Sequence, residues 1–144
     1  MLKKTTIAAV ALVMSFPAMA DMATRYGKLT VNDALALQLN GKVVAPIVEG
    51  NSGLQFLSLY QIGDADVVVL QSVGGTACPI QLRLVTVRAS GLRVSPEFGS
   101  CSELVTHTFD GEVVTFSMPK MQGKGNDVFR YAKGVVTQAG KPIK

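Results

Sequence analysis

An all-β fold of mainly antiparallel strands, a small sandwich or barrel built of hairpins and carrying one disulfide, is what this 144-residue sequence predicts. Three observations carry that expectation. Short apolar runs of strand length alternate with turn-forming residues along most of the chain, and no stretch sustains the 3.6-residue periodicity of a long helix. Asn40-Gly41 and Asp110-Gly111 each stand between two strand-like runs, and such pairs suit the positive φ angles of a tight hairpin turn. The chain has only two cysteines, Cys78 and Cys101, behind an N-terminus that reads as an export signal.

That N-terminus, "MLKKTTIAAVALVMSFPAMA", has a charged start at Lys3 and Lys4, an apolar run from Ile7 to Phe16, and Ala18-Met19-Ala20 before Asp21. Small residues at the −3 and −1 positions suit cleavage before Asp21, and the apolar run is shorter than the roughly 20 residues a spanning helix needs. Residues 1–20 are therefore expected to be a signal peptide. Residues 21–144 are expected to form a single β-rich domain with no transmembrane segment, in the periplasm or outside the cell.

The segment "TVNDALALQL" reads as strand, with a short helix capped by Asn32 or Asp33 as the alternative. Asn40-Gly41 turns it into "KVVAPIV". "LQFLSLYQI", residues 54–62, passes through the turn "GDAD" into a continuous Val67-Val68-Val69-Leu70 run, which predicts a strand covered on both faces. "QLRLVTVR" turns at Ala89-Ser90-Gly91 into "LRVS". In "ELVTHTFDGEVVTFSMP" a two-residue Asp110-Gly111 turn would set Phe109 opposite Glu112, His107 opposite Val114 and Val105 opposite Phe116, with Val114, Phe116 and Met118 on one face. Pro119 ends that strand, "QGKGND" is a loop, and "VFRYAKGVVT" is read as the last strand with Phe129, Tyr131 and Val135 on one face. About eight strands at these intervals suit a sandwich or small barrel.

In a compartment that oxidises thiols, two cysteines are most simply a pair, so a Cys78–Cys101 disulfide is expected. Gly74 and Gly75 let the backbone turn before it, and Pro79 stiffens its exit. Pairing removes the thiolate that a catalytic cysteine would need. The one histidine, His107, lies on a strand with apolar neighbours, and neither a C-x-x-C pair nor a second histidine completes a tetrahedral metal site. Asp64 and Asp66 are a close carboxylate pair, read as turn residues beside the alternatives of a calcium site or an acid–base pair. "GKGN" lacks the spacing of a phosphate loop, and no Gly-x-Ser-x-Gly elbow occurs. The chain is expected to be no enzyme and to need no cofactor.

Charge is uneven. Downstream of the signal, twelve basic residues meet ten acidic ones. From Lys120 onward Lys120, Lys124, Arg130, Lys133, Lys141 and Lys144 face Asp127 alone. A solvated last hairpin accounts for such spacing, and so does contact with an acidic protein or phospholipid surface. No nucleic-acid motif is present, and nucleic acid is not an expected partner.

At "GGTACP" followed by "SPEFGSC" the chain resembles a loose group of short exported bacterial proteins that share Gly-Gly-Thr-x-Cys-Pro and Phe-Gly-x-Cys stretches. That resemblance spans about residues 60–119 and implies the same disulfide. "SGLQF", Ser52 to Phe56, is similar to the Ser-Gly-x-x-Tyr loop with which periplasmic lysozyme inhibitors enter the lysozyme cleft, with Phe56 in place of the tyrosine. Together these readings lead to a non-enzymatic periplasmic binding protein, an inhibitor or immunity protein against a toxin or cell-wall hydrolase, whose partner is another protein. The candidate contacts are Ser52, Gly53, Phe56, Lys120, Lys124, Arg130 and Lys133. The alternative is a structural accessory of an envelope or secretion assembly that works by strand addition.

Overall fold

The computed structural model describes residues 20–144, so the signal read over residues 1–20 lies outside the described residues save for Ala20. The described chain is all β, in three antiparallel sheets. The N-terminal sheet holds β1 (Asp21–Thr24), β2 (Gly27–Val31), β3 (Leu37–Leu39) and β4 (Lys42–Val43) in that order. The central sheet runs β5 (Gly53–Ile62), β6 (Ala65–Val73), β7 (Ile80–Arg88) and β8 (Gly91–Val94), with β9 (Phe98–Cys101) also against β7. The C-terminal sheet is the meander β10 (Thr106–Phe109), β11 (Val114–Pro119), β12 (Asn126–Ala132), β13 (Val135–Gln138) and β14 (Lys141–Pro142).

The central sheet is covered on both faces, which is what the valine run requires. Every residue of β6 from Ala65 to Leu70 is buried. By the strand's two-residue period, Val67 and Val69 join Leu82, Leu84, Phe116 and Phe129 in the core against the C-terminal sheet. Val68 and Leu70 join Leu29, Leu37, Phe56 and Val85 in a second core against the N-terminal sheet. Each fully buried side chain of this size contributes about 1.5–3 kcal/mol of transfer free energy.

β5 achieves this two-sided packing with a bulge. Its register on β6 shifts between Phe56 and Ser58, from Phe56 opposite Leu70 to Ser58 opposite Val69. The extra residue puts Phe56 and Leu59 in the core toward the N-terminal sheet, and Leu57 and Tyr60 in the core toward the C-terminal sheet.

Several details differ from the reading of the sequence. In "TVNDALALQL", Asn32 Oδ1 accepts the amides of Ala34 and Ala36 at 3.0 and 2.9 Å, and Leu35 has φ 58°. A helix cannot pass through that backbone, and the middle of the segment is a loop between β2 and β3. Asn40-Gly41 does form the expected two-residue turn, with φ 50° and 80° and Leu39 opposite Lys42. The Asp110-Gly111 hairpin, in contrast, has Phe109 opposite Val114 and His107 opposite Phe116, so its loop has four residues rather than two. The reason is the Asp110 carboxylate, which accepts the amides of Glu112 and Val113 at 2.9 and 2.8 Å and holds a wider bend. A shift of two residues preserves facing, so Val114, Phe116 and Met118 remain buried together. Finally, "VFRYAKGVVT" is a hairpin, because Lys133-Gly134 turns with φ 50° and 81°; Phe129 and Tyr131 are buried as expected, but Val136 takes the core position expected of Val135.

Candidate binding surface at the disulfide end

One end of the central sheet is built by alignment of strand ends. Gly53 pairs with Val73, Val73 with Ile80, and Ile80 with Cys101. The Cys78–Cys101 disulfide closes this end, with its Cα atoms 4.7 Å apart. Gly74 begins the connection that carries Cys78: its amide donates to Pro79 O at 2.8 Å, and a Cβ there would stand 2.2 Å from Cys78 O. Any side chain at position 74 therefore displaces the cysteine backbone. Ser52 donates its amide to Val73 O at 2.9 Å, which places the 49–52 segment beside this connection.

The C-terminal sheet is tied to the same end. Ser100 Oγ donates to Pro119 O at 2.6 Å, joining the ends of β9 and β11. The loop that follows Pro119 is closed by Lys120 N donating to Gly125 O at 3.0 Å. Ser52 and the 74–79 connection thus lie at the disulfide end, and the Ser100–Pro119 bond brings the start of the loop carrying Lys120 and Lys124 to β9 there. Leu104 and Met121, 71% and 57% exposed, lie in the segments leading into β10 and out of β11. A cleft of about 330 Å³ opens beside the disulfide, lined among others by Glu49, Asn51, Ser72, Gln81 and Glu97. Arg83 Nη2 holds the Glu97 carboxylate at 2.7 Å.

The candidate contacts separate accordingly. Ser52 is exposed and Gly53 half-buried at this end. Phe56 is fully buried in the core against the N-terminal sheet, so it packs the fold and presents nothing to a partner. Lys120 and Lys124 are exposed here. Arg130 sits mid-strand on the outer side of β12, opposite Thr115 and Thr137, and Lys133 occupies the turn that follows that strand. β12 has seven residues, a length of about 23 Å. Lys120 and Lys124 stand before its start and Lys133 beyond its far end, so the basic residues of the C-terminal part do not make one patch.

The remaining chemical candidates are engaged elsewhere. Asp66 is buried at the opposite end of β6, where its carboxylate accepts the backbone amide and Nε of Arg25, both at 2.7 Å. Arg25 Nη2 also donates to Gly63 O and Ala65 O at 3.1 and 3.0 Å. Asp64 is exposed in the neighbouring turn, and its backbone carbonyl accepts the Tyr26 hydroxyl. The two aspartates therefore have different environments and do not act as a pair. Nothing in the local sequence pointed to Arg25, which lies 41 residues from its partner.

His107 is half-buried between β10 and β5, where Nδ1 shares a hydrogen bond with the Tyr60 hydroxyl. Its ring lies 5.8 Å from that of Tyr60 and 5.9 Å from that of Phe116. Burial lowers the pKa of His107 and raises that of Tyr60. With both cysteines in the disulfide, no thiol faces this imidazole. Among the described residues, no group of three or more His, Cys, Asp or Glu is placed to hold a metal ion.

The exposed Leu104 and Met121 escaped the reading of the sequence. The available signal was a methionine inside a Gly/Lys-rich loop, where no strand requires an apolar side chain. No family model, curated protein or solved structure matches this chain.

Proposed function

We propose that this chain is a non-enzymatic binding protein of the periplasm or extracellular space, an inhibitor or immunity protein that meets a toxin or cell-wall hydrolase with its disulfide end. The observation that carries this reading is the exposure of Leu104, Lys120, Met121 and Lys124 in the two segments that leave Cys101 and Pro119, beside the Cys78–Cys101 bridge and the Ser100–Pro119 bond. Apolar anchors with a charged rim suit protein recognition, and loops fixed beforehand lose less entropy on binding. The disulfide itself favours an oxidising compartment.

A second reading, strand addition within an envelope assembly, is favoured by β5. It pairs with β6 on one side only and is ten residues long. The bulge at Leu57 interrupts that edge, as protected edges often are, and this places the reading second.

A photoreactive residue placed at Met121, and separately at Lys133 and at exposed Gln61 on β5, distinguishes the readings in cells that make the protein. The expected result is a discrete protein adduct from position 121 and none from 133. Equal labelling from 121 and 133 overturns the proposal, and an adduct from 61 alone transfers the interface to the β5 edge.

A further inference from the structure

We infer that the cleft between β8 and β13, at the open side of the two-sheet core, binds a small carboxylate with a short aliphatic tail. This cleft has a volume of about 220 Å³ and lies apart from the disulfide end. Its floor is a hydroxyl pair, Thr86 Oγ1 and Tyr131 Oη, 2.8 Å apart. Both residues are more than nine-tenths buried, at 5% and 3% exposure.

The hydrogen count of that pair is informative. Each hydroxyl has one hydrogen to donate, and a single hydrogen bond between them uses one of the two. Among the described residues neither oxygen has another hydrogen-bond partner, so one of the two hydroxyl hydrogens has no acceptor, and both residues line the cleft. An acceptor placed in the cleft recovers what an unmatched buried donor loses.

Charge defines the rest of the occupant. Arg93 is opposite Thr86 in the β7–β8 register, so their side chains stand side by side on the same face. Arg93 makes no hydrogen bond or ion pair among the described residues, and no carboxylate lines the cleft. An anionic oxygen can therefore meet the guanidinium and the free hydroxyl hydrogen together. The rest of the lining mixes aliphatic Leu84, Val94, Val136 and Ile143 with Ser95 and Gly134, so an aliphatic tail has apolar contacts on part of the wall only. At about 30 Å³ per water-sized group, the cleft accommodates roughly seven such groups, the size of a carboxylate with a tail of about four or five carbons. A free short-chain acid and the terminal carboxylate of a peptide ending in an aliphatic residue share this chemistry.

The test is amide chemical-shift titration of the purified protein with hexanoate, with hexan-1-ol as the uncharged control, and with N-acetyl-Ala-Val and its carboxamide. The expected result is saturable shifts at Val94, Ser95, Gly134 and Val135 with at least one carboxylate, and at least about tenfold weaker binding of its uncharged counterpart. Shifts with hexanoate alone identify a free acid as the ligand source, and shifts with the peptide acid alone identify a chain terminus. Arg93 is exposed, so Arg93→Gln leaves the core intact, and it is expected to weaken binding about tenfold. The double variant Thr86→Val/Tyr131→Phe removes both hydroxyls together and is expected to weaken binding while the remaining amide spectrum stays native. Absence of shifts at these amides with either carboxylate, equal binding of the uncharged controls, or undiminished binding by Arg93→Gln overturns the proposal.

Discussion

The two ends of the central sheet are closed by different chemistry. At one end, Cys78 and Cys101 are joined covalently across a separation of 23 residues. At the other, the turn between β1 and β2 reaches the β5–β6 turn through Arg25 on Asp66 and Tyr26 on Asp64. The covalent link acts largely on the unfolded chain by restricting it, whereas the Arg25 contacts exist only in the folded one. The first therefore yields to a reductant, and the second to loss of a single side chain. Near the covalently closed end stand the exposed side chains of Leu104, Lys120, Met121 and Lys124, and the polar end carries the buried Asp66 carboxylate.

Removing the bridge is the largest intervention on this comparison. Cys78→Ala/Cys101→Ala is expected to lower the unfolding free energy by about 3 kcal/mol in a urea titration. Arg25→Ala comes next. It leaves the Asp66 carboxylate buried without its guanidinium, and with Arg25 39% exposed so that water reaches the site, a loss of about 2 kcal/mol is expected. Combining the two sets of substitutions sharpens the contrast further: if the ends act independently, the losses add to within about 0.5 kcal/mol. A larger coupling would mean that the central sheet transmits strain between them.

The smallest effect concerns the seam where β5 meets β10. Because burial lowers the His107 pKa, the folded chain binds that proton less readily than the unfolded chain, whose value lies near 6.5. Stability from this group is present above 6.5 and declines as pH falls through that value toward the lower folded one. Tyr60 from β5 and Phe116 from β11 face the imidazole, and neither carries charge at these pH values. His107→Phe is expected to remove this part of the slope of unfolding free energy between neutral and mildly acidic pH. An unchanged slope would assign it to other groups.

What could be read from the sequence was governed by range. The Asn40-Gly41 turn and the doubly covered β6 follow from neighbouring residues, and the disulfide follows from having only two cysteines. The Asp110 loop is wider than its sequence predicts because two backbone amides bonded to one carboxylate outweigh the turn preference of the Asp-Gly pair. The β5 bulge is hidden because "LQFLSLYQI" is apolar enough to suit either face at several positions. Arg25 with Asp66, and Thr86 with Tyr131, are pairings between segments far apart in the chain, and no local pattern announces them. For the candidate surface, Ser52, Lys120 and Lys124 are exposed, whereas Phe56 is drawn inward by the same alternation that marks a strand.

The stacking of three sheets in chain order has a consequence for synthesis. β1 to β4 complete their hydrogen bonding early, but the apolar face they share is covered by β5 to β8, strands that end at Val94. A nascent chain emerging from its N-terminus would thus hold Leu29 and Leu37 without their full cover until Val85 and Val87 had followed, an interval in which a holding chaperone has an obvious target.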